Sequence, residues 1–354
     1  MANINLIGAI NQLGYGHTSL NILKALSSEH NVSLWPIGEP QVANQPEADV
    51  VSTAIANGRM FDDSAPCVRI WHQNQMDQFV GHGPKVGFPI FELDEFDVLE
   101  LHHLSHLDHI LVTSEWAKDV IISNIKGDKR VDVVPLGVDT SVFKSGIPTR
   151  GPNRPTIFYN CGKWEVRKGH DILIEAFKKA FTPQDNVELW MMCDNPFNTP
   201  DENAYWLNKY KHDQVRIINR VESHKEVYNI MSQVDCGIFP ARAEGWNLEA
   251  LEILACGKHL IITDYSAHTE FCNKDNAMLI DIDQTEVAYD GKWFHGKGNW
   301  AKIGTNQIDQ MVEHMRAVHQ QMDVHPPINT NGVKTAEQFT WNNSANRMLE
   351  AIDV

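Results

Sequence analysis

Short uninterrupted apolar runs, each followed by a helix-patterned stretch, recur along most of the chain and constrain its fold more than any other feature. Examples are Leu189-Trp-Met-Met-Cys193 and Leu260-Ile-Ile-Thr263. A strand that is apolar at consecutive positions needs cover on both faces, which parallel sheets obtain from crossover helices. The first strand is expected at 3–10. The turn Leu13-Gly-Tyr-Gly-His17, a helix over 18–28 and a strand over 32–36 follow. Further strands are expected at 49–54, 68–71, 85–90, 109–113 and 131–135, with helices at 95–104 and 115–124. The alternation then pauses at Lys144-Ser-Gly-Ile-Pro-Thr-Arg-Gly-Pro-Asn-Arg-Pro155, whose Pro, Gly and polar residues read as a linker. It restarts with strands at 155–159, 187–193, 215–218, 236–239, 260–263 and 278–280. Helices at 168–181, 201–212, 222–232 and 247–256 lie between them. With 354 residues the chain has material for two domains. The expectation is an α/β fold of two Rossmann-like doubly wound domains, 1–147 and 153–338. Such sheets on either side of a linker leave an inter-domain cleft, where ligands prefer to bind.

The chemistry concentrates in Phe239-Pro-Ala-Arg-Ala-Glu-Gly-Trp-Asn-Leu-Glu-Ala-Leu-Glu-Ile-Leu-Ala-Cys-Gly-Lys258. An apolar strand ends at Pro240, Gly245 permits a tight turn, and Asn247 is suited to cap a helix that Gly257 stops. The unpaired N–H groups of that first turn suit a phosphate. Glu244 ahead of the helix and Glu252 about one and a half turns into it suit sugar hydroxyls. Together they read as a nucleotide-sugar site. A second element, Gly162-Lys-Trp-Glu-Val-Arg-Lys-Gly-His-Asp171, sits between a strand and a helix. Lys163 and Lys168 can set two positive charges against a departing diphosphate. Gly14 and Gly16 permit close backbone approach to a ligand, or serve a plain tight turn. His72 and Glu92 each follow a strand, where an open sheet offers its site; either is also suited to a polar core edge.

These stretches resemble retaining GT-B glycosyltransferases, particularly family four (glycosyl transferases group 1). Glu244-Gly-Trp-Asn-Leu-Glu-Ala-Leu-Glu252 followed by Ile-Leu-Ala-Cys-Gly257 is similar to the family's E-x7-E element. Gly162–Gly169 is similar to its G-R-x-x-x-x-K-G, with Lys163 in place of the usual Arg. Val112–Lys118 and Val134–Phe143 resemble the close of the family's first domain. The resemblance implies transfer of a sugar from a nucleoside diphosphate sugar, UDP- or GDP-linked for instance, to an acceptor hydroxyl with retention. In it Lys163, Lys168, Gly14, Gly16, Gly245, Asn247 and Leu248 hold the donor diphosphate, Glu252 the ribose, and Glu244 the donor sugar. The family commonly has a His after each of two first-domain strands. His72 fits the first, whereas Glu92 stands where the second is expected, so either lies nearest the reacting carbon. A helix over 340–354 crosses back to the first domain.

No D-x-D motif with strand signals is present, and His102, His103, His106 and His109 lack a Cys or carboxylate shell. A metal-independent enzyme without a cofactor is therefore expected. The net charge of −16 argues against stable nucleic-acid binding. Scattered cysteines and the lack of an 18-residue apolar run or a basic leader point to a cytoplasmic protein without a membrane span. The acceptor stays open among glycan, lipid, small molecule and modified nucleobase. Two rival readings are a GT-B sugar-nucleotide epimerase and a non-catalytic nucleotide-sugar binding protein. The Gly- and aromatic-rich stretch 290–300 reads as an acceptor-facing insertion or a surface excursion.

Overall fold

A computed structural model describes residues 1–146, 153–322 and 328–354 of the chain; 147–152, the middle of the expected linker, lie outside them. In order, the elements are β1 (Asn3–Gly8), α1 (Gly14–Ser27), β2 (Asn31–Pro36), α2 (Gln45–Asn57), β3 (Cys67–Trp71), β4 (Lys85–Pro89), α3 (Val98–Ser105), β5 (His109–Val112), α4 (Glu115–Asn124) and β6 (Arg130–Val133). Then come β7 (Thr156–Gly162), α5 (His170–Ala180), β8 (Val187–Cys193), α6 (Pro200–Lys209), β9 (Val215–Ile217), α7 (His224–Met231), β10 (Cys236–Phe239), α8 (Leu248–Ala255) and β11 (His259–Thr263). The chain finishes with β12 (Met278–Ile280), β13 (Thr285–Tyr289), β14 (His295–Ala301), α9 (Thr305–Met322), α10 (Thr330–Gln338) and α11 (Trp341–Ala351).

Two compact units result: Met1–Gly137 with Phe339–Val354, and Val138–Gln338. The division falls at Gly137, ahead of the polar stretch around Pro155. Each unit has a six-stranded sheet, ordered β2-β1-β3-β4-β5-β6 and β12-β11-β10-β7-β8-β9. All pairings within them are parallel. Strand order reverses direction beside β1 in the first sheet and between β7 and β10 in the second. Open parallel sheets bind ligands at such reversals, outside the carboxyl ends of the strands.

One expected strand is a helix. Residues 49–54 lie inside α2, which Asn44 caps by accepting a hydrogen bond from the Glu47 N–H at 3.0 Å, with Pro46 in its first turn. Only Val51 and Ala54 of that helix are buried, a three-residue spacing that suits a helix lying on a sheet. The second unit's core mixes Phe158, Leu189, Met191 and Ile238 from the sheet with Leu173 and Phe177 of α5, Trp206 of α6 and Met311 and Met315 of α9. Alternate residues point the other way. A Cβ on Gly237 would stand 3.0 Å from Ile253, so α8 covers the opposite face from α5 and α6.

The last helix belongs to the first unit. Thr340 caps α11, Ser344 Oγ donates to the Pro135 carbonyl at 2.7 Å, and Trp341 meets the edge of His17 on α1. A Cβ on Gly137 would lie 2.3 Å from the Thr340 carbonyl carbon and the Trp341 nitrogen. Gly137→Ala is therefore expected to destabilise the first unit by about 1–3 kcal/mol, the usual range for overpacking. Hydrogen exchange should speed up within Trp341–Ala351 and not in α5; unchanged protection of α11 would contradict that packing.

Candidate active site

The polar residues of the second unit gather where its strand order reverses. Beyond β7, Lys163 Nζ lies 3.0 Å from Glu165 Oε1, and Glu165 Oε2 accepts from Arg167 Nη2 at 2.9 Å. Arg167 Nη1 is 2.8 Å from Glu244 Oε2, and Lys168 Nζ is 2.8 Å from Glu244 Oε1. Three cations thus face two carboxylates in one chain of contacts, and all but Lys163 are buried. Burial pushes the Glu244 carboxyl up, but Arg167 and Lys168 together hold it well below the usual carboxylate range. Lys168 mirrors this: burial lowers it, the charges of Glu244 and Glu249 outweigh burial, and it stays protonated. Glu165 behaves as Glu244 does, with Arg167 the largest opposing charge.

Backbone conformation makes this network possible. Gly162, at φ +133°, lies under the Lys168 side chain, where a Cβ would come within 3.0 Å of Cε. Gly169, at φ +74°, packs on the Pro240 carbonyl, which a Cβ would approach to 2.1 Å. Arg242 does not reach the network. Its guanidinium is bidentate to Asp171 at 2.8 Å and fastens the start of α5 to the loop after β10.

Two non-glycine residues beside Glu244 hold left-handed conformations, Asn247 at φ +85° and Ser266 at φ +55°. Such strain persists only where surroundings over-determine it, and it clusters at functional sites. Ser266 Oγ accepts from the Glu244 N–H at 2.9 Å. Asn247 Oδ1 accepts from the Ala250 N–H at 3.1 Å, while its amide donates to His268 Nε2 at 2.9 Å. His268 Nδ1 in turn donates to the Thr263 carbonyl at 3.0 Å. Both ring nitrogens have fixed roles in the neutral tautomer, and burial pushes His268 down to about 4. His170 has the same arrangement, taking a bond from the Glu165 N–H and donating to Asn160 Oδ1, with burial lowering it to about 3. Beyond Gly245 and Asn247, the N–H groups of Leu248 and Glu249 precede the first intrahelical bond of α8.

Glu252 lies deeper on α8 and is buried, its carbonyl accepting from the Cys256 N–H at 3.0 Å. Burial, then the charge of Glu249, raises its carboxyl well above the ordinary value. The structure thus joins Lys163, Lys168, Glu244 and the Gly245–Leu248 turn, while Glu252 lies further along α8. Sequence reasoning missed Arg167, although it stands between the two lysines, and missed His268, whose only sequence signal is its place five residues after the apolar β11.

In the first unit, the carboxyl ends of β1, β3 and β4 bring Gly14, Gly16, His72 and Glu92 around Tyr15. The Tyr15 hydroxyl donates to the Ile90 carbonyl at 2.5 Å, and its ring lies 4.6 Å from His72 and 5.3 Å from Trp71. Burial pushes the Tyr15 phenol well up, and the Glu92 charge adds to that. Gly16 serves the turn, since a Cβ there would meet the Asn11 backbone at 2.3 Å; Gly14 has open space. Tyr15 was overlooked because the turn was read for its glycines. His109, one of the four neighbouring histidines, is paired with Asp132 at 2.8 Å.

Residues 154–290 match the family described as "Glycosyl transferases group 1". A putative glycosyltransferase 45 of Sulfolobus islandicus filamentous virus is 21% identical over 221 residues, 60% of this chain and 58% of that protein. The MMP alpha-(1->4)-mannosyltransferase of Mycolicibacterium hassiacum is 24% identical over 209 residues, 58% of this chain and 49% of that one. The matched region therefore spans about half the length of these curated relatives. Among solved structures, Anabaena Alr3699/HepE in complex with UDP and glucose superposes with a TM-score of 0.71 at 13% identity, covering 99% of both chains. Sucrose-phosphate synthase from Thermosynechococcus elongatus gives 0.69 at 13% identity, covering 99% of this chain and 98% of that one. The second unit carries a glycosyl transferases group 1 region, and the chain has the GT-B fold of two Rossmann-like domains.

Glu252 supplies a pH test. Its folded pKa exceeds the 4.5 of an ordinary glutamate, so the folded state binds the extra proton and loses stability as pH rises through that interval. Glu252→Gln should raise the ligand-free melting temperature at pH 8 and change it little near pH 4. A difference that is larger in acid would contradict this.

Proposed function

We propose that the chain is a retaining glycosyltransferase that moves a sugar from a nucleoside diphosphate sugar to an acceptor hydroxyl without a metal ion. The observation that carries this reading is the Lys163–Glu165–Arg167–Glu244–Lys168 network at the head of α8, buried except for Lys163. It gathers the three cations Lys163, Arg167 and Lys168, and positive charge held there suits a diphosphate. The N–H groups of Leu248 and Glu249 and the helix dipole of α8 favour the same anion.

In the reaction, the bond between the anomeric carbon and the diphosphate oxygen breaks while the acceptor oxygen bonds to that carbon on the same face. The acceptor proton passes to the departing phosphate, and a nucleoside diphosphate leaves. Lys163 and Lys168 stabilise negative charge that grows as the leaving group departs, which lowers the barrier more than it strengthens ground-state binding. Glu252, protonated or ionised, pairs with ribose hydroxyls. Glu244 reaches donor-sugar hydroxyls while Lys168 turns toward phosphate. On the first unit the same reading assigns His72 and Glu92 to the reacting substrate, with Gly14 leaving its backbone open. The UDP and glucose held by HepE, and the mannosyltransferase names of relatives, support a nucleotide-sugar donor.

The test is single-turnover kinetics at saturating donor, on enzyme exhaustively treated with EDTA. Wild-type turnover should survive chelation. Lys168→Ala should slow the chemical step by roughly a hundredfold, the loss typical for one preorganised stabilising group. Lys178→Ala, exposed at the end of α5, should match wild type. Unchanged chemistry in a folded Lys168→Ala would remove the lysine from the reaction. Activity restored only by Mn2+ or Mg2+ would end the metal-free reading, and nucleotide release without any acceptor would favour an epimerase.

A further inference from the structure

The stretch 290–300 forms the tip and second strand of an antiparallel hairpin, β13–β14. Its tip is rigidly built. Asp290 Oδ1 accepts from the N–H groups of Lys292, Trp293 and Phe294 at 2.8, 2.8 and 2.9 Å, and Gly291 turns the chain at φ +75°. Lys292 Nζ ties the tip to the Phe197 carbonyl, Asn198 Oδ1 and Glu202 Oε2 at 2.9, 2.9 and 2.8 Å. At the base, buried Trp300 lies 5.7 Å from the Arg242 guanidinium, and the Ala301 N–H donates to the Arg242 carbonyl at 2.9 Å. The hairpin is therefore fastened to the loops after β8 and β10, which lie on either side of the loop carrying Lys163.

This rigid mount presents two aromatic rings to solvent. Phe197 is 51% exposed and Trp293 48%. Their ring centres lie 5.7 Å apart, edge to face, and Lys163 Nζ stands 5.9 Å from the Phe197 ring. Exposed aromatic area held this firmly suits a binding surface, because a ligand recovers the burial without ordering the protein further. In the glycosyl-transfer reading the ribose lies elsewhere, at Glu252. Glu252 is on α8, on the Gly237 face of the sheet, whereas Lys292 anchors the rings to α6 on the other face.

We infer that Phe197 and Trp293 form a saccharide platform that holds a pyranose ring of the acceptor beside Lys163. A pyranose has an apolar C–H face that lies on the electron-rich face of an aromatic ring, and hydroxyls at its rim to reach water and nearby polar groups. The net charge of −16 disfavours a nucleic acid as a stably held partner of the chain. The inference rests on the glycosyl-transfer reading and narrows its acceptor to a sugar or a glycan.

Saturation-transfer NMR tests it with cellobiose, maltose and mannobiose, each without donor, while UDP and GDP are titrated calorimetrically in parallel. At least one disaccharide should bind wild type. Trp293→Ala and Phe197→Ala should each weaken it by about tenfold, the upper end for one aromatic contact, and leave nucleotide affinity unchanged. The platform is overturned if no disaccharide binds, if the variants bind like wild type, or if hydroxymethyl-deoxycytidine binds in place of the sugars. A sedimenting dimer that Trp293→Ala dissociates, with no sugar bound, overturns it in favour of a second copy. Failure of the broader reading shows separately, as wild type binding neither UDP nor GDP.

Discussion

Glu244 is a buried carboxylate clasped between a guanidinium and an ammonium, and the arrangement of the second unit follows from keeping that charge satisfied. Removing such ions from water costs several kcal/mol each, which attraction offsets only when geometry is close to ideal. The 2.8 Å contacts to Arg167 and Lys168 meet that condition. They require Gly162 and Gly169 to turn as only glycine readily turns, so that the chain between β7 and α5 folds back under the loop after β10. They also require Ser266 and Asn247 to hold strained dihedrals that receive the Glu244 backbone and start α8. Arg242 and Asp171 lock the two loops together from outside. Few of these groups can change without releasing another.

Beneath the charged layer sits a neutral one. His170 and His268 are fully buried, and each ring has one nitrogen donating and the other accepting. A protonated imidazole there would lose one acceptor role and face Lys168 and Arg167 as a like charge. Their low basicity keeps the hydrogen-bond directions constant across the physiological range, so the polarity above them is set by the ion pairs alone.

The alternation of elements was legible because continuous apolar runs have few other solutions, and strands such as Met278–Ile280 fell where their residues are. Helix ends were less so: the Lys168-Gly169 pair precedes α5, since Gly169 is its left-handed cap. The strand expected at 49–54 failed because its few apolar residues fit both periods, and the Asn44 cap with Pro46 decided for a helix. In the site, glycines and lysines at motif spacing stood out. Arg167, Tyr15 and His268 did not, because their roles depend on partners far off in sequence, such as Glu244, Ile90 and Asn247. No local pattern encodes contacts of that kind. Nor did spacing reveal that both oxygens of Glu244 would already be engaged.

The placement of α11 has a consequence for biogenesis. A ribosome releases Met1–Gly137 first, but that unit closes only when Trp341–Ala351 docks at Gly137 and Pro135. The second unit, continuous in sequence, emerges entirely before its elder neighbour is finished. Domains usually mature in the order of their translation; here the first unit includes a segment translated after the whole of the second. The nascent first sheet must wait, its α1 flank uncovered, through some two hundred residues of elongation, as the spacing between Gly137 and Phe339 implies. Trp341–Ala351, whose Trp341 packs against His17 of α1, emerges only after that interval.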